Sequence, residues 1–265
     1  SKIVAAAASG VGGAGLDVDD CFSCFLYDGT GSSQTITNNI DLTEGGLVWL
    51  KARSSGSFSE SDHWLIDTVS GGTKYLNSND NGVQSGNQNY ISAFNNNGFT
   101  LGTSDAEINF GSGSSRYVSW TFRKAPKFFD MVEFSTGGSA VEQTINHSLG
   151  STPGMIIIKC TTDIGSWFVW HRGIGTTQYL RLEATDAVAT YDGVINNVTS
   201  TSFTTDVGTA LPINSTNIAY IFAHNDGDAE FGPTQDQDII KCGSYTGDGG
   251  AGTTEANLGF EPQWI

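Results

Sequence analysis

Two pairs of carboxylates stand two residues apart in this sequence, a spacing that could serve acid–base chemistry. They are Glu60 and Asp62 in SESDHW, and Asp105 and Glu107 in SDAEINF. On a β-strand such residues share a face about 7 Å apart, within the roughly 5–10 Å that separates the carboxylates of a glycoside hydrolase. Neither pair continues into a third carboxylate on the same strand, and neither recurs later in the chain. The pattern therefore favours solvated loop carboxylates, and we predict no catalytic residue.

The most acidic stretch, NDGDAEFGPTQDQD at residues 225–238, is a candidate metal site. Asp226, Asp228 and Glu230 alternate along it. Alternating carboxylates resemble the start of an oxygen-ligand Ca²⁺ loop, although Gly227 is misplaced for an EF-hand and the later glutamate is missing. Two hypotheses stay open, a polar linker between domains and a calcium site with these three residues as ligands. We expect no other cofactor.

Tryptophans could bind sugars, because an exposed indole stacks on a pyranose face while neighbouring polar groups supply hydrogen bonds. Trp49, Trp120 and Trp264 lie in apolar runs and are expected in the core. Trp167 and Trp170, in GSWFVWHR, are three residues apart and would point to opposite faces of a strand, so that one could be exposed. These two residues are the candidate glycan-binding residues.

The histidines and cysteines form no recognisable reaction centre in the sequence. No G-x-S-x-G motif occurs, and the four histidines are scattered. Cys21 and Cys24 form a C-x-x-C motif inside the apolar run CFSCFLY, without a second such motif or a cluster of histidines. Buried free thiols are the expected state of these two residues. We therefore predict a protein that is not an enzyme.

Composition and charge exclude several classes of partner. The chain has 28 acidic and 12 basic residues among 265, a formal charge of −16. Nucleic acids and anionic membrane surfaces need a cationic footprint, so neither is expected as a partner. No apolar run approaches the roughly 20 residues that would span a bilayer. The 34 glycines and 5 prolines, with many Asn, Ser and Thr, suit tight turns between strands.

The elements that must position these residues are repeated along the chain. The strand-like run GGLVWLKAR (45–53) returns as PGMIIIKCT (153–161), and EPQWI (261–265) begins it again. Four further pairs keep the same order: HWLIDT (63–68) with SWFVWH (166–171), TKYL (73–76) with TQYL (177–180), GFTLG (98–102) with SFTTD (202–206), and YVSWTF (117–122) with IAYIFA (218–223). Self-similarity at one interval indicates a tandem duplication.

Short apolar or alternating runs separated by Asn/Gly/Ser-rich turns predict an all-β fold of β-sandwich or jelly-roll type. We predict a flexible Ala/Gly-rich N-terminal arm at 1–16, a first sandwich at 17–125 and a second at 126–235. Residues 236–265 would start a third repeat or supply a closing strand. The two copies could instead merge into one larger pseudo-symmetric sandwich.

Several of these phrases resemble a known module. GLVWLKAR, RYVSWTFRKAPKFFDMVEFSTG (116–137), NHSLGSTPGMIIIKC (146–160) and IIKCGSYTGDG (239–249) are similar to repeated concanavalin A-like modules in bacteriophage tail fibre and receptor-binding structural proteins. The resemblance implies tandem concanavalin A-like (jelly-roll) sandwiches in a non-catalytic virion protein of the tail appendage, made in the bacterial cytoplasm.

The same resemblance implies a role in virion attachment, host receptor recognition or both. The expected partners are other virion proteins, further copies of the chain with a homotrimer favoured, and a host surface glycan. Two alternatives remain: a secreted bacterial carbohydrate-binding or glycan-cleaving protein with a lectin-like sandwich, and a capsid decoration or adaptor protein.

Overall fold

The computed structural model describes residues 15–54, 61–102, 106–111, 115–191, 193–250 and 255–265. Within this part the chain is nearly all β and its sheets are antiparallel, so the predicted fold class is confirmed at the level of an all-β, sandwich-like fold. Two short α-helices, Val18–Cys21 and Ala106–Asn109, and a 3₁₀-helix, Leu42–Glu44, complete the described elements. No helix in these ranges is long and apolar enough to cross a membrane.

The first half of the chain folds into two sheets. Its strands are β1 (Phe22–Asp28), β2 (Gln34–Thr37), β3 (Gly46–Ser54), β4 (His63–Asp67), β5 (Leu76–Asn77), β6 (Ile91–Asn95), β7 (Gly98–Leu101) and β8 (Arg116–Arg123). One sheet has the order β1-β8-β3-β4-β5 and the other the order β2-β7-β6. Between them lies a core that includes Leu50, Trp64, Phe99 and Tyr117.

The second half folds in the same manner. Its strands are β9 (Phe129–Ser135), β10 (Glu142–Asn146), β11 (Met155–Cys160), β12 (Phe168–His171), β13 (Gln178–Arg181), β14 (Ala189–Thr190), β15 (Ser202–Asp206) and β16 (Thr216–Phe222). The large sheet has the order β14-β13-β12-β11-β16-β9, and β10 pairs with β15. Ile156, Ile158, Trp170 and Phe203 lie in the core between these sheets.

The large sheets of the two halves share a strand order. Strands β1, β8, β3, β4 and β5 occupy the places that β9, β16, β11, β12 and β13 occupy in the second half. The repeated lysines keep matching partners, since Lys51 pairs with Val118 and Lys159 with Ile218. The two copies of the repeated phrase therefore form central strands at corresponding places.

A third core joins the halves. Phe22, Leu47 and Phe122 on one large sheet pack with residues of the other large sheet, including Phe222 and Tyr220. The rings of Phe122 and Phe222 are 5.6 Å apart. The molecule therefore has four β layers, with the two large sheets inside and the small sheets outside. Strands β3 and β11 are covered on both faces, which explains why their sequences are continuously apolar instead of alternating.

Side chains buried in this third core also bond across it. Trp167 Nε1 donates to the carbonyl oxygens of Asn77 at 3.1 Å and Asp80 at 2.9 Å. Tyr220 Oη donates to Asp67 Oδ2 at 2.9 Å. Because these groups lie between two apolar layers, their hydrogen bonds fix the position of one half relative to the other.

The ends of the chain lie against this assembly. Residues 1–14 of the predicted arm are outside the described residues, and Leu16 packs against the third core while its carbonyl accepts from Gly232 N at 2.9 Å. The described residues of the range 236–265 contain no named strand. The connection that leads from β16 into this segment resembles the connection from β8 to β9. After β16, Asn225 N donates to Ile240 O at 2.8 Å. In the same way, Ala125 N donates to Phe129 O at 3.0 Å at the start of β9.

Candidate functional site

The structure brings together one member of each predicted carboxylate pair. Glu60 and Asp105 lie outside the described residues, whereas Asp62 N donates to Glu107 Oε2 at 3.2 Å. Trp64 Nε1 donates to the same oxygen at 2.9 Å. The Glu107 carboxylate therefore anchors the start of β4 to the short helix 106–109, which is a structural task.

The three predicted calcium ligands are not assembled into a site. Asp226 Oδ1 pairs with Lys241 Nζ at 3.1 Å, and Glu230 Oε1 with Lys127 Nζ at 2.8 Å. The Lys241 ammonium lowers the pKa of Asp226, and Asp228 Oδ1 accepts from Asp226 N at 3.1 Å. Among the described residues no group of three His, Cys, Asp or Glu could hold a metal ion. The alternating carboxylates do not converge because this stretch does not form a strand. Two of them, Asp226 and Glu230, form salt bridges with lysines instead.

The two predicted glycan-binding tryptophans are both buried. Trp167 faces the third core and Trp170 the core of the second half, with 0% and 6% of their surfaces exposed. They do point in opposite directions, but sheets cover both faces of the region around β12. Neither indole therefore offers a face to a sugar in this structure.

Three other tryptophan rings gather against the large sheet of the first half. Trp49, Trp120 and Trp264 lie with ring centroids 6.2 to 6.5 Å apart. The expected core position is found for Trp49, which is 9% exposed, whereas Trp120 is half-buried and Trp264 is 40% exposed. The apolar runs in the sequence could not predict how far each of these three rings is exposed, because the residues that cover each ring come from distant parts of the chain.

His63 lies among these rings and has a defined tautomer. Its Nδ1 accepts from Trp49 Nε1 at 3.0 Å, and its ring is parallel to that of Trp120, with centroids 6.3 Å apart. Because Nδ1 is the acceptor, neutral His63 carries its proton on Nε2. Burial, and then the neighbouring Lys51 ammonium, lower the pKa of His63. Lys51 Nζ in turn donates to the carbonyl oxygen of Ser61.

The same surface carries a concentration of basic side chains. Arg53 and Arg116 are exposed, and Arg116 lies 4.0 Å from Asp28. Leu26 is 55% exposed beside them, on the edge strand β1. We define the basic aromatic face as residues Leu26, Lys51, Arg53, His63, Arg116 and Trp120. It holds three of the 12 basic residues of a chain with charge −16, and Asp28 and Asp62 lie beside them. Three positive and two negative groups leave a small positive excess, which favours acidic partners.

The cysteines are free thiols in different surroundings. Cys21 is buried and Cys24 is exposed on β1, so the expectation that both are buried is wrong for Cys24. Burial raises the pKa of Cys21 to about 12. A thiol with so high a pKa is not a ready nucleophile at neutral pH.

Stability is expected to fall as the pH drops through about 6.5 towards about 5. Burial is the main cause that lowers the pKa of all four histidines, His63, His147, His171 and His224. The unfolded chain therefore takes up protons before the folded protein does, and each proton favours unfolding. Guanidinium denaturation across this interval should show a falling midpoint as the pH decreases.

The matched control is His63→Asn, which keeps an acceptor near the Nδ1 position but cannot be protonated. Its stability should fall less over the same interval than that of the unaltered protein. Asp67, whose pKa is raised by burial, contributes in the opposite sense but equally to both proteins. An identical pH dependence in the two proteins would show that protonation of His63 does not contribute to the loss of stability at low pH.

Comparison with known proteins yields one family. No curated protein and no solved structure matches the chain. A family model described as a domain of unknown function, DUF7483, matches residues 17–265, which span both halves and the C-terminal segment. The chain therefore belongs to the DUF7483 family.

Proposed function

We propose that the protein is a non-catalytic structural component of a bacteriophage virion, as part of a tail fibre or a similar appendage. The motifs that resemble repeated concanavalin A-like modules support this proposal, and they run through both halves in the same order. In this proposal each half is one concanavalin A-like jelly-roll module, and a single Ala/Gly-rich arm precedes the first half.

The rigid junction between the halves is the observation that carries the proposal. Domains in one chain move relative to each other unless their interface is large and apolar. Here an apolar core with a fully buried Trp167 joins the large sheets. The Asp67–Tyr220 hydrogen bond crosses the same core. Such a unit transmits force and position along its length, as a spacer or contact element requires.

The use of reactive side chains supports a role without catalysis. Glu107 anchors the start of a strand, Asp226 and Glu230 pair with lysines, and Asp67 bonds the two halves together. Each of these carboxylates thus has a structural partner. In this proposal the protein acts through its surfaces, with other virion proteins, further copies of itself (a trimer is favoured) and a host glycan as partners, and it needs no cofactor.

Electron microscopy of intact phage particles labelled with antibodies against this chain tests the proposal. Label at the tail appendage is the expected result, with pre-immune serum as the control. Label on the head would favour a capsid decoration protein. Unlabelled particles, with the protein recovered from bacterial culture medium, would favour the secreted carbohydrate-binding protein. A glycan array then decides whether a sugar binds.

A further inference from the structure

One loop of the first half docks on the large sheet of the second half. We define the docking loop as residues 77–84. Besides the two carbonyl oxygens that accept from Trp167 Nε1, Asn81 O accepts from Gly165 N at 3.0 Å, and Gln84 N donates to Thr161 O at 2.9 Å. The docking loop therefore contacts the connection between β11 and β12, at residues 161–167, and this contact forms within one chain.

The second half carries the counterpart of this loop at residues 181–188. At the base of the docking loop Tyr75 bridges Ser85, and at the base of the counterpart Tyr179 pairs with Ala189. The strand pairing before each loop gives the same correspondence. Trp64 pairs with Asn77 in the first half, and Phe168 pairs with Arg181 in the second. The counterpart loop stands in solvent, with Leu182 and Val188 36% and 42% exposed.

The first half likewise carries the counterpart of this docking surface, although residues 55–60 of it lie outside the described residues. Ser78 N donates to His63 O at 3.3 Å and Leu182 N to Trp167 O at 3.2 Å. His63 N donates to Asn79 Oδ1 at 2.9 Å, and Trp167 N to Glu183 Oε2 at 3.0 Å. His63 therefore occupies the position in the first half that Trp167 occupies in the second.

The two counterpart faces differ in how far they are covered. Under the docking loop Trp167 and Lys159 are both fully buried. In the basic aromatic face the corresponding His63 and Lys51 are half-buried. Among the described residues, no loop covers this face of the first half as the docking loop covers the second half.

We propose that copies of this chain associate head to tail, with residues 181–188 of one copy docking on the basic aromatic face of the next. This contact between two molecules would have the same form as the contact that the docking loop makes within one chain. His63 Nε2–H replaces Trp167 Nε1–H as the donor to the loop carbonyl oxygens, and it has no hydrogen-bond partner among the described residues.

Charge complementarity supports a second copy as the occupant. The counterpart loop carries Glu183 and Asp186, and Arg181 Nη1 pairs with Asp186 Oδ2 within it at 3.3 Å. The loop therefore presents a net negative charge to the arginines and lysine of the face. Trp264 of the same chain packs against Trp49 and against Trp120 of the face, so the incoming loop meets the face at its His63, Arg53 and Leu26 side. Because loop and face are different surfaces, the association is heterologous and builds rings or open chains.

Sedimentation velocity of the purified chain from about 1 μM to about 1 mM, the range of weak to moderate interfaces, tests the proposal. The average mass should rise above 28.0 kDa with concentration and pass beyond that of a dimer. A monomer at every concentration would overturn it.

Two arginine substitutions separate this contact from other forms of association. Val188→Arg alters the loop and Leu26→Arg alters the face, and each buries a charge against an apolar partner in the proposed contact. Each variant alone should associate about tenfold more weakly or worse. Val141→Arg, at a site that is 59% exposed on the outer layer, is the matched control and should associate like the unaltered protein.

Mixing the two altered proteins gives the decisive result. The Leu26→Arg copy keeps an intact loop and the Val188→Arg copy keeps an intact face, so an equal mixture should form heterodimers that grow no further. In an isologous interface both copies would contribute the same patch, and mixing would restore nothing. Failure of the mixture to form dimers, with both variants folded by circular dichroism, would overturn the proposal.

Discussion

Replacing Trp167 with alanine is expected to lower the free energy of unfolding by about 3–5 kcal/mol. The indole is fully buried in the core between the two large sheets and is nearly parallel to the ring of Tyr220, with centroids 6.4 Å apart. Its removal opens a cavity and leaves the carbonyl oxygens of Asn77 and Asp80 without their donor. Guanidinium denaturation followed by tryptophan fluorescence and circular dichroism would measure the loss.

Phenylalanine substitutions at Trp167 and Trp170 separate the hydrogen bonds from the volume. Both side chains are buried, but Trp170 Nε1 has no hydrogen-bond partner among the described residues. Trp170→Phe therefore loses ring volume alone, whereas Trp167→Phe also leaves the two loop carbonyl oxygens unpaired. We expect Trp167→Phe to cost about 1–3 kcal/mol more. Equal costs would show that the indole hydrogen bonds do not hold the docking loop.

A second large effect is expected at Asp67, where alanine should cost about 3 kcal/mol or more. The carboxylate is 1% exposed and accepts from Val69 N at 3.0 Å, Ser70 N at 2.7 Å and Tyr220 Oη at 2.9 Å. Leaving one buried donor without an acceptor costs about 1–3 kcal/mol, and Asp67→Ala does this to the Tyr220 hydroxyl. It also removes the acceptor of three part-buried donors, Val69 N, Ser70 N and Ser70 Oγ. Denaturation with urea or guanidinium measures this loss.

A double-mutant cycle with Tyr220→Phe isolates the bond between the halves. Tyr220→Phe alone should cost about 1.5–3 kcal/mol, because it removes one hydrogen bond to a charged group. In the Asp67→Ala background the same change should cost much less, since the acceptor is already gone. Strict additivity of the two losses would mean that the hydroxyl and the carboxylate do not interact.

These two sites concern the rigidity on which the proposed function depends. Trp167 bonds to a loop of the first half, and Asp67 bonds to a strand of the second. A variant that loosens both contacts while each half keeps its own core should unfold in two steps instead of one. Under the proposed function, a virion that carries this variant should show a bent or mobile appendage.

The repeat could be found from the sequence, but its register could not. The phrases HWLIDT and SWFVWH align His63 with Ser166, whereas the backbone hydrogen bonds place His63 with Trp167. Likewise YVSWTF and IAYIFA align Tyr117 with Ile218, whereas the strand partners place Val118 there. A shift of one residue moves a side chain to the other face of a strand. Apolar residues occupy both faces of these strands, so the pattern holds no signal to choose between the registers.

The burial of the tryptophans could not be predicted for a related reason. Alternation within a strand shows that Trp167 and Trp170 point in opposite directions, as they do. Whether a face is covered depends on a second sheet or loop that comes from another part of the chain. The docking loop that bonds Trp167 is about 90 residues away in sequence, and nothing in GSWFVWHR refers to it.

The order of apolar runs and turns determined by itself that this protein is all β, that its strands repeat in two copies and that its surface is acidic, because these properties are local or additive along the chain. The tertiary structure alone decided that four layers stack into one body, that both candidate glycan-binding tryptophans are buried and that the acidic stretch at Asp226 pairs with lysines. It also decided that, among the described residues, His63 and Lys51 stay half-buried where their counterparts are fully covered. These properties arise from contacts between residues far apart in sequence. Such contacts depend on how the sheets pack, and no short segment encodes them.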